Sequence, residues 1–537
     1  MRAGRTRLRL AALVGLALAA APGRATAQFG LAYLPITDQA YDQLGALERM
    51  GCTPARVSSF RPYQVRAIRA ALVRARGDRR CQGTIFEALA SRFASTARDS
   101  VGGVRGGAQV TAQGTEMSKG TFLPMWDNVR PKAQGTPTAV GIVHGRLSYG
   151  DGADDHVTIV ADAYAESNGR NDPTDRAQGF RHSNTVVDFS EAYVNARAGI
   201  VTFSLGREQE AWLGQGIESI VLSANGPPID RLAVEFHTAH WEGRAIVGEL
   251  DKDVLTANQD SLNSTIQPQD YYRFLYGHAI TWRPDRMVEA TLGETALISS
   301  GSNTLDLYYV NPFVPYIVTK NDSGRKTDAA NDNLSTFVGL RLRPGPVTLR
   351  GELFIDDIQI DSKDRTKVPD QLAWTLGVST PIPLPVPVSL DVSYQRIDTY
   401  TYEAQFYNQV WQHYGVPIGS QLGPDADLWQ ASADAFLFRK IRIAAGAGYW
   451  RRGFFRITDR PGRNVVGAGQ PPFPNSTATQ PVQTSVMGNG SIQYLNPMFP
   501  LTLRVNLADI KNANNLPSPA TLYAQVQVLL TYAFRYP

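Results

Sequence analysis

Residues 521–536, TLYAQVQVLLTYAFRY, alternate between apolar and polar side chains along most of their length. The apolar face comprises Leu522, Ala524, Val526, Val528, Leu530, Tyr532, Phe534 and Tyr536, and the opposite face carries Thr521, Gln525, Gln527, Thr531 and Arg535. A period of two predicts a β-strand with one apolar and one polar face. Residues 388–395 and 441–449 repeat this pattern. The chain from about residue 121 to its end is therefore predicted to be mainly β.

Two folds contain strands of this kind. In a soluble β-sandwich the apolar faces form the core, whereas in an outer-membrane barrel they face lipid and the polar faces line the lumen. Strands of about ten residues or more, with aromatic residues at several ends, favour the barrel. The roughly 415 residues after the N-terminal region have room for about 16–20 antiparallel strands, and termini on the same side require an even number.

Residues 1–27 have the features of a secretory signal peptide. Arginines precede an apolar run at 10–21, and Ala25-Thr26-Ala27 forms a cleavage site before Gln28. No later stretch approaches the ~20 apolar residues of a transmembrane helix. The chain has 53 basic and 49 acidic residues with no long basic run after the leader, which argues against a nucleic-acid partner.

The region between the leader and the strands divides into two parts. Residues 28–99 contain three apolar stripes at helical spacing, so we expect a small helical module. Cys52 and Cys81 are the two cysteines of an exported chain, and we predict a disulfide between them. Residues 100–120 are rich in glycine and small polar side chains, which predicts a flexible linker. The barrel is then expected over residues 121–537.

Residues 205–231, LGREQEAWLGQGIESIVLSANGPPIDR, interrupt the alternation. An unbroken strand would place Arg207 on the lipid side with Leu205, at a cost of about 2–4 kcal/mol near the membrane midplane. We therefore expect the strand to end, bulge or reach the membrane interface at Gly206. Trp212 and the apolar ESIVLS segment need packing partners, so the excursion is predicted to be ordered.

GRE…W.GQG followed by SIVLSANGPPIDRLAVEF resembles the signature of the capsule assembly Wzi family, which usually reads GR…WWGPG and then SLLLSNNAPPF.R. LPITDQAYDQLGALERMG, FRPYQVRAIRAAL, YRFLYGHAITWRP, YYVNPFVPY and GELFIDDIQID are similar to further segments of that family. Leu213, Gln215, Ala224 and Ile229-Asp230 depart from the usual pattern. The signature residues expected to have a structural role are Gly206, Arg207, Trp212, Gly214, Gly216, Asn225, Pro227, Pro228, Asp230 and Arg231.

The resemblance implies an outer-membrane barrel of about 18 strands with a periplasmic helical bundle. It also implies a lectin that holds capsular polysaccharide at the cell surface. We accordingly expect a non-enzymatic, monomeric protein whose partners are surface polysaccharide and outer-membrane lipid. The alternative is a porin or a substrate-specific outer-membrane channel, because channels share the same strand pattern.

Charged residues on the strands suggest a lumen cluster of Glu294, Arg350, Glu352 and Asp356. Paired carboxylates can act in acid–base catalysis, but mixed charges also fill the interior of a closed barrel, and we favour the second interpretation. His237 and His240, three positions apart on a strand, face opposite sides and cannot share a metal ion without a bulge. No catalytic residue, metal site or cofactor is predicted.

Residues 400–429 combine aromatic rings with amides and carboxylates. Aromatic faces pack against the C–H surfaces of sugars, and amides and carboxylates bind hydroxyls. The candidate glycan contacts are Tyr402, Tyr407, Trp411, Tyr414 and Trp429. The alternative interpretation is that these rings pack the loop and form an interfacial aromatic girdle.

Overall fold

The computed structural model describes residues 29–52, 57–81, 84–94, 101–117, 138–152, 156–167, 180–182, 185–214, 218–255, 269–320, 332–358, 369–403, 409–438, 440–457, 471–496 and 499–535. The helices are α1 (Ala40–Arg49), α2 (Val65–Ala75), α3 (Phe86–Phe93), α4 (Leu307–Val310) and α5 (Tyr316–Lys320). The long strands are β1 (Val101–Met117), β2 (Thr138–Gly152), β3 (Val157–Ser167), β4 (Thr185–Ala198), β5 (Val201–Glu208), β6 (Ile229–His237), β7 (Trp241–Glu249), β8 (Gln269–Trp282), β9 (Val288–Ser300), β10 (Asp332–Leu342), β11 (Thr348–Asp357), β12 (Gln371–Ile382), β13 (Val388–Ile397), β14 (Ala426–Leu437), β15 (Ile441–Arg452), β16 (Gln483–Tyr494), β17 (Leu501–Lys511) and β18 (Thr521–Arg535). Short strands add Phe60–Arg61, Phe180–His182, Ala211–Trp212, Asp253–Leu255, Gln412–His413 and Val416–Pro417.

The eighteen long strands in the described part of the chain form a closed antiparallel barrel, which confirms the predicted fold class. Each strand pairs with its neighbour in the chain, and β18 pairs with β1 from Gly107↔Arg535 to Met117↔Gln525. The prediction of a flexible linker over residues 100–120 is therefore wrong, because 101–117 form β1. Local glycine content concealed this strand, which long-range pairing with both β2 and β18 holds in place.

The strand faces are divided as the alternation predicts. On β13 the small and polar residues Ser389, Asp391, Ser393 and Gln395 are buried towards the lumen. On β18 the apolar Leu522, Val526, Val528 and Leu530 are exposed on the outer surface, and Gln525 and Gln527 are buried on the inner one. An apolar outer belt around a polar inner wall is the arrangement that suits lipid outside and a filled lumen inside.

The two ends of the barrel differ in the length of their connections. At one end, the short-turn end, successive strands are joined by at most six residues. At the other, the long-loop end, most connections are much longer and include residues 209–228, 301–331 and 398–425. None of the described helices is both long and apolar enough to cross a membrane.

Gly206 and Arg207 show how the strand meets the excursion. β5 continues through Gly206 to Glu208, with Gly206 at φ +136°, and a Cβ there would lie 2.1 Å from the Ala192 carbonyl oxygen. Glycine is thus required by close strand contact and by backbone conformation. Arg207 stays on the outer face at the long-loop end, where its Nη2 lies 2.7 Å from Asp230 Oδ2. The strand therefore neither ends nor bulges at Gly206, but continues in register to Glu208 at the long-loop end, where the charge of Arg207 is paired.

The helical module occupies the short-turn end of the barrel. Arg49 of α1 pairs with Asp434 of β14 at 2.5 Å, and Asp42 lies 3.4 Å from Arg442 of β15. Glu48 forms ion pairs with Arg341 and Arg343 beside β10. Cys52 and Cys81 form a disulfide with an S–S distance of 2.09 Å, which links the end of α1 to the region after α2.

Replacing Cys52 and Cys81 together by serine should destabilise the helical module by about 3–4 kcal/mol, because the disulfide closes a long chain segment. Limited proteolysis at increasing denaturant should cut the module earlier than in the wild type. The barrel should stay folded under the same conditions, so that unheated and heated samples still migrate differently on gels. Equal protease resistance of the helical module in the variant and in the wild type would contradict this expectation.

Candidate functional site

Trp212 lies at the centre of the protein segments that fill the lumen. It is fully buried, and Ala211–Trp212 pairs as a two-stranded sheet with Phe60–Arg61 of the helical module. Its ring centroid lies 5.4 Å from that of Phe60 and 5.9 Å from that of Phe337 on β10. The excursion, residues 209–228, therefore meets the helical module inside the barrel.

Glu210 fixes the excursion to the barrel wall. Its Oε1 lies 2.6 Å from Arg231 Nε and 2.6 Å from Arg244 Nη2, and its Oε2 accepts a hydrogen bond from Trp212 Nε1 at 3.0 Å. These ionic side chains are at most 1% exposed. Removing one partner from a buried ion pair typically costs about 3–5 kcal/mol, because the other charge is left without compensation. Sequence analysis did not single out Glu210. The available signal was a carboxylate two residues before Trp212 and upstream of Arg231.

Gly214 and Asn225 position the excursion through their backbone and amide groups. Gly214 has φ +64° and donates its N–H to Glu352 of β11 at 2.7 Å. Asn225 Nδ2 donates to Ser223 Oγ at 2.5 Å and to the Gly419 carbonyl at 3.2 Å. Pro227 and Pro228 are half-buried where the chain enters β6. Gly216 lies outside the described residues.

The loop of residues 398–425 packs onto the excursion. The Tyr402 hydroxyl donates to the Ile220 carbonyl at 2.5 Å, and Trp411 Nε1 donates to the Val221 carbonyl at 3.2 Å. Tyr402 is 0% exposed and Trp411 is 1% exposed. The prediction that these two rings contact glycan is therefore wrong, because both belong to the core that joins loop and excursion. The alternative interpretation of loop packing applies to them.

The predicted lumen cluster is only partly present. Arg350 pairs with Asp391 at 2.7 Å, Glu352 accepts from Gly214, and Asp356 accepts from the Tyr402 N–H at 2.8 Å. These three residues face the lumen and secure its contents.

Glu294 does not belong to this cluster. Its neighbour Gly293 lies against Phe337 in the lumen, so Glu294 points outward from β9. The prediction that it faces the lumen is wrong. The surrounding TLGETALISS lacks the strict alternation that would have fixed its side.

Trp429 also faces outward. It is 54% exposed and packs against Tyr394 with ring centroids 4.5 Å apart, and Tyr394 in turn packs against Trp374 at 4.9 Å. This row lies on the outer surface, as an interfacial girdle does, so the prediction of glycan contact is wrong for Trp429 as well. Tyr407 lies outside the described residues.

Tyr414 remains the candidate aromatic contact at the long-loop end. It is half-buried, and with Gly415 it forms the turn between Gln412–His413 and Val416–Pro417. Tyr414 has φ +51° and Gly415 φ +75°, a conformation that normally selects Asn-Gly and that costs a tyrosine on the order of 1–3 kcal/mol. Such strain at a partly exposed ring is typical of positions under functional constraint.

Charged side chains lie near this ring. Burial and the Asp251 carboxylate raise the pKa of the Tyr414 phenol, Arg207 lowers it and Asp230 raises it, so the phenol is within electrostatic reach of the Arg207–Asp230 pair. Nearby, Gln421 Nε2 donates to Asn225 Oδ1 at 2.7 Å. We call Arg207, Asn225, Asp230, Tyr414 and Gln421 the rim patch.

A small cavity lies between the excursion and the loop that carries Tyr414. Gln209, Glu210, Ser223, Pro227 and His413 contribute to its lining, and its volume is about 20 Å³. A cavity of that size holds about one water molecule. A chain-like ligand at this end would therefore contact the rim patch rather than enter the cavity.

Comparison with known proteins identifies the family. The model of the capsule assembly protein Wzi family matches residues 86–454, more than half of the chain. This chain belongs to the Wzi family. The Escherichia coli outer membrane protein Wzi, described as a carbohydrate-binding β-barrel involved in group 1 capsule assembly, has a similar structure with a TM-score of 0.59. The two share 14% identity over 93% of this chain and 99% of the other.

The outer membrane protein OprD from Pseudomonas aeruginosa also matches, with 9% identity, 82% of this chain and 95% of the other covered, and a TM-score of 0.44. No curated protein matches the chain. Family membership, together with the closed 18-strand barrel, places this Wzi-family protein in the outer membrane.

Asp251 and Asp425, in the long-loop connections of this Wzi-family barrel, are among the carboxyl groups with shifted pKa values. Burial opposes ionisation of Asp251, but the hydrogen bond with His413 and the charge of Arg273 outweigh it and lower the pKa of Asp251. Burial raises the pKa of Asp425 to about 6, although the backbone N–H groups of Asn475 and Phe455 donate to it at 2.8 and 3.2 Å. Asp425 thus joins the loop before β14 to the loop after β15.

Substituting Trp212 by alanine should destabilise the packed lumen by about 3–5 kcal/mol, because the cavity left between Phe60 and Phe337 cannot collapse fully. Trp429→Ala is the matched control, since that ring is exposed on the outer surface. In detergent-solubilised protein, protease should cut the excursion of the Trp212 variant earlier than in the control. Similar cleavage of the two variants would show that Trp212 does not hold the lumen contents.

The loop containing Asp425 should be held less firmly at high pH. The pKa of about 6 in the folded protein exceeds the ordinary ~3.9, so the folded state retains a proton that the released loop loses. The stabilisation of the loop by protonated Asp425 is fully present below pH ~4, and about 3 kcal/mol of it is lost as pH rises through 6. Protease protection should follow this change and become independent of pH in Asp425→Asn. Glu249→Gln, an exposed carboxyl at the same end, should leave the pH dependence unchanged.

Proposed function

We propose that this Wzi-family protein attaches surface polysaccharide to the cell through the rim patch, as a monomer and without hydrolysing it. The observation that carries the proposal is the partly exposed, strained Tyr414 within electrostatic reach of the Arg207–Asp230 pair. The rim patch lies at the long-loop end of a barrel whose lumen is occupied by the protein's own excursion and loop.

The filled lumen supports attachment over conduction. Phe60, Trp212, Tyr402 and Trp411 form one continuous set of ring and hydrogen-bond contacts across the interior. Glu210 and the lumen-facing Glu352 tie that interior to the wall through ion pairs and a backbone hydrogen bond. A transport route on this side of the barrel would require these buried contacts to separate.

The chemistry of the rim patch supports a carbohydrate ligand. The Tyr414 ring offers a face for sugar C–H groups, and the side-chain amides of Asn225 and Gln421 offer donors and acceptors for hydroxyls. The paired Arg207 provides a fixed cation that suits a carboxylated sugar. The capsule assembly family to which the chain belongs, and the carbohydrate binding described for the Escherichia coli protein, support the same ligand class.

The orientation follows from the connections. Short turns are typical of the periplasmic side of outer-membrane barrels and long loops of the outer side. We therefore infer that the helical module lies in the periplasm and that the rim patch faces the cell exterior.

The test is deletion of the gene, followed by complementation with the wild type, Tyr414→Ala or Tyr494→Ala. Tyr494 is an exposed tyrosine at the short-turn end and serves as the matched control. We expect deletion and Tyr414→Ala to shift polysaccharide from the cell-bound to the released fraction by tenfold or more, because truncating a hot-spot ring costs about 2 kcal/mol or more. Polysaccharide that stays cell-bound after deletion would contradict the proposal.

Purified protein separates attachment from transport. The wild type should bind the isolated polysaccharide and should form no large, stable conductance in planar bilayers. A steady conductance blocked by small solutes, without polysaccharide binding, would favour the substrate-specific channel instead.

A further inference from the structure

Residues 301–320, which connect β9 to β10, lie against the outer wall of the barrel. On β8, Gly277 lies against Trp212 in the lumen, so its neighbours Tyr276 and His278 point outward. The Tyr309 ring packs on Tyr276 with centroids 5.7 Å apart, and the Tyr316 ring packs on His278 at 4.3 Å. We call residues 301–320 the outer flap, because α4 and α5 cover wall residues that would otherwise face the membrane.

The inner side of the outer flap satisfies polar groups of the wall. Glu294 accepts the Tyr316 N–H at 2.6 Å and lies 3.4 Å from His278 Nε2. Asp332, at the start of β10, accepts the Tyr309 hydroxyl at 2.6 Å. A carboxylate and an imidazole on a lipid-facing strand are costly, and the outer flap covers them.

The outward side of the same segment is apolar. Residues 307–319, LYYVNPFVPYIVT, contain no Asp, Glu, Lys or Arg. Phe313 is 92% exposed and Leu307 is 76% exposed, and Tyr308, Ile317 and Val318 are each more than half exposed. The polar groups of the outer flap therefore face the barrel wall and its large apolar side chains face outward. A loop in water is expected to have the opposite arrangement.

The backbone of the outer flap is also suited to an apolar surrounding. Seven N–H groups between Tyr308 and Thr319 donate to carbonyl or carboxylate groups, and Pro312 and Pro315 have no N–H to satisfy. Hydrocarbon offers no hydrogen bonds, so a segment in contact with it must satisfy its donors internally.

The geometry points to lipid acyl chains of the leaflet at the long-loop end as the partner of the outer flap. Its exposed side chains continue the apolar belt formed by Ile280, Leu292, Val338 and Leu340 on the same strands. The outer flap thus covers the outer surface of β8 and β9 around Glu294 and contacts the lipid in place of that surface. This role is independent of the rim patch.

The test uses single-cysteine variants carrying a nitroxide label, in the full chain reconstituted into phospholipid vesicles. Both native cysteines are joined in the disulfide, so the introduced thiol is labelled selectively. Phe313→Cys places the label at the most exposed of the large apolar side chains of the outer flap. Leu292→Cys, on the lipid belt, and Thr479→Cys, exposed at the long-loop end, are the lipid and water controls.

We expect the label at position 313 to collide with oxygen about as often as the label at 292. We expect it to collide several-fold less often with a water-soluble nickel complex than the label at 479. Nickel accessibility equal to that at 479 would overturn the proposal, because the outer flap would then lie in water. Low accessibility to both reagents, with spin–spin broadening in the fully labelled sample, would overturn it in favour of a second copy of the chain.

Discussion

A chain that crosses lipid with strands must turn its apolar side chains outward, and the alternation of the strand then forces its polar side chains inward. That constraint governs this structure from β1 to β18. The inward groups include ionised residues such as Arg231, Arg244 and Arg350, whose charges need partners once water is excluded. The protein supplies these partners from its own chain, so the interior is a second folded layer rather than an empty channel.

That inner layer is assembled from segments that enter by opposite ends. The helical module enters at the short-turn end and is held there by ion pairs to β10, β14 and β15. The excursion and the 398–425 loop enter at the long-loop end and meet it where Trp212 packs on Phe60. The rim patch owes its position to this arrangement, because Tyr414 and Asn225 are carried by segments whose other residues are buried.

The same constraint explains the outer flap. Where outward alternation places His278 and Glu294 on the wall, the surface is unsuited to hydrocarbon, and residues 301–320 restore an apolar exterior. The protein therefore covers polar wall residues on both sides of its barrel. Inside it uses charges and amides, and outside it uses Tyr309 and Tyr316 beneath a layer of aliphatic and aromatic side chains.

The sequence by itself determined the strand faces of β13 and β18, the closed barrel of about 18 strands and the ordered excursion around Trp212. These features follow from local periodicity and from a signature whose residues are close in the chain. Tertiary structure decided which of the predicted glycan contacts are accessible at the long-loop end. Tyr402 and Trp411 are buried and Trp429 faces outward, although all three lie in one aromatic-rich stretch.

Tertiary structure also decided the side of Glu294 and the strand at residues 101–117. A one-residue change of register reverses the direction of every side chain in a strand. Where glycine or mixed polarity weakens the alternation, only pairing with strands distant in sequence fixes that register. Local sequence therefore predicted the architecture, and long-range pairing determined which side chains lie on the outer wall, at the long-loop end or in the protein's own core.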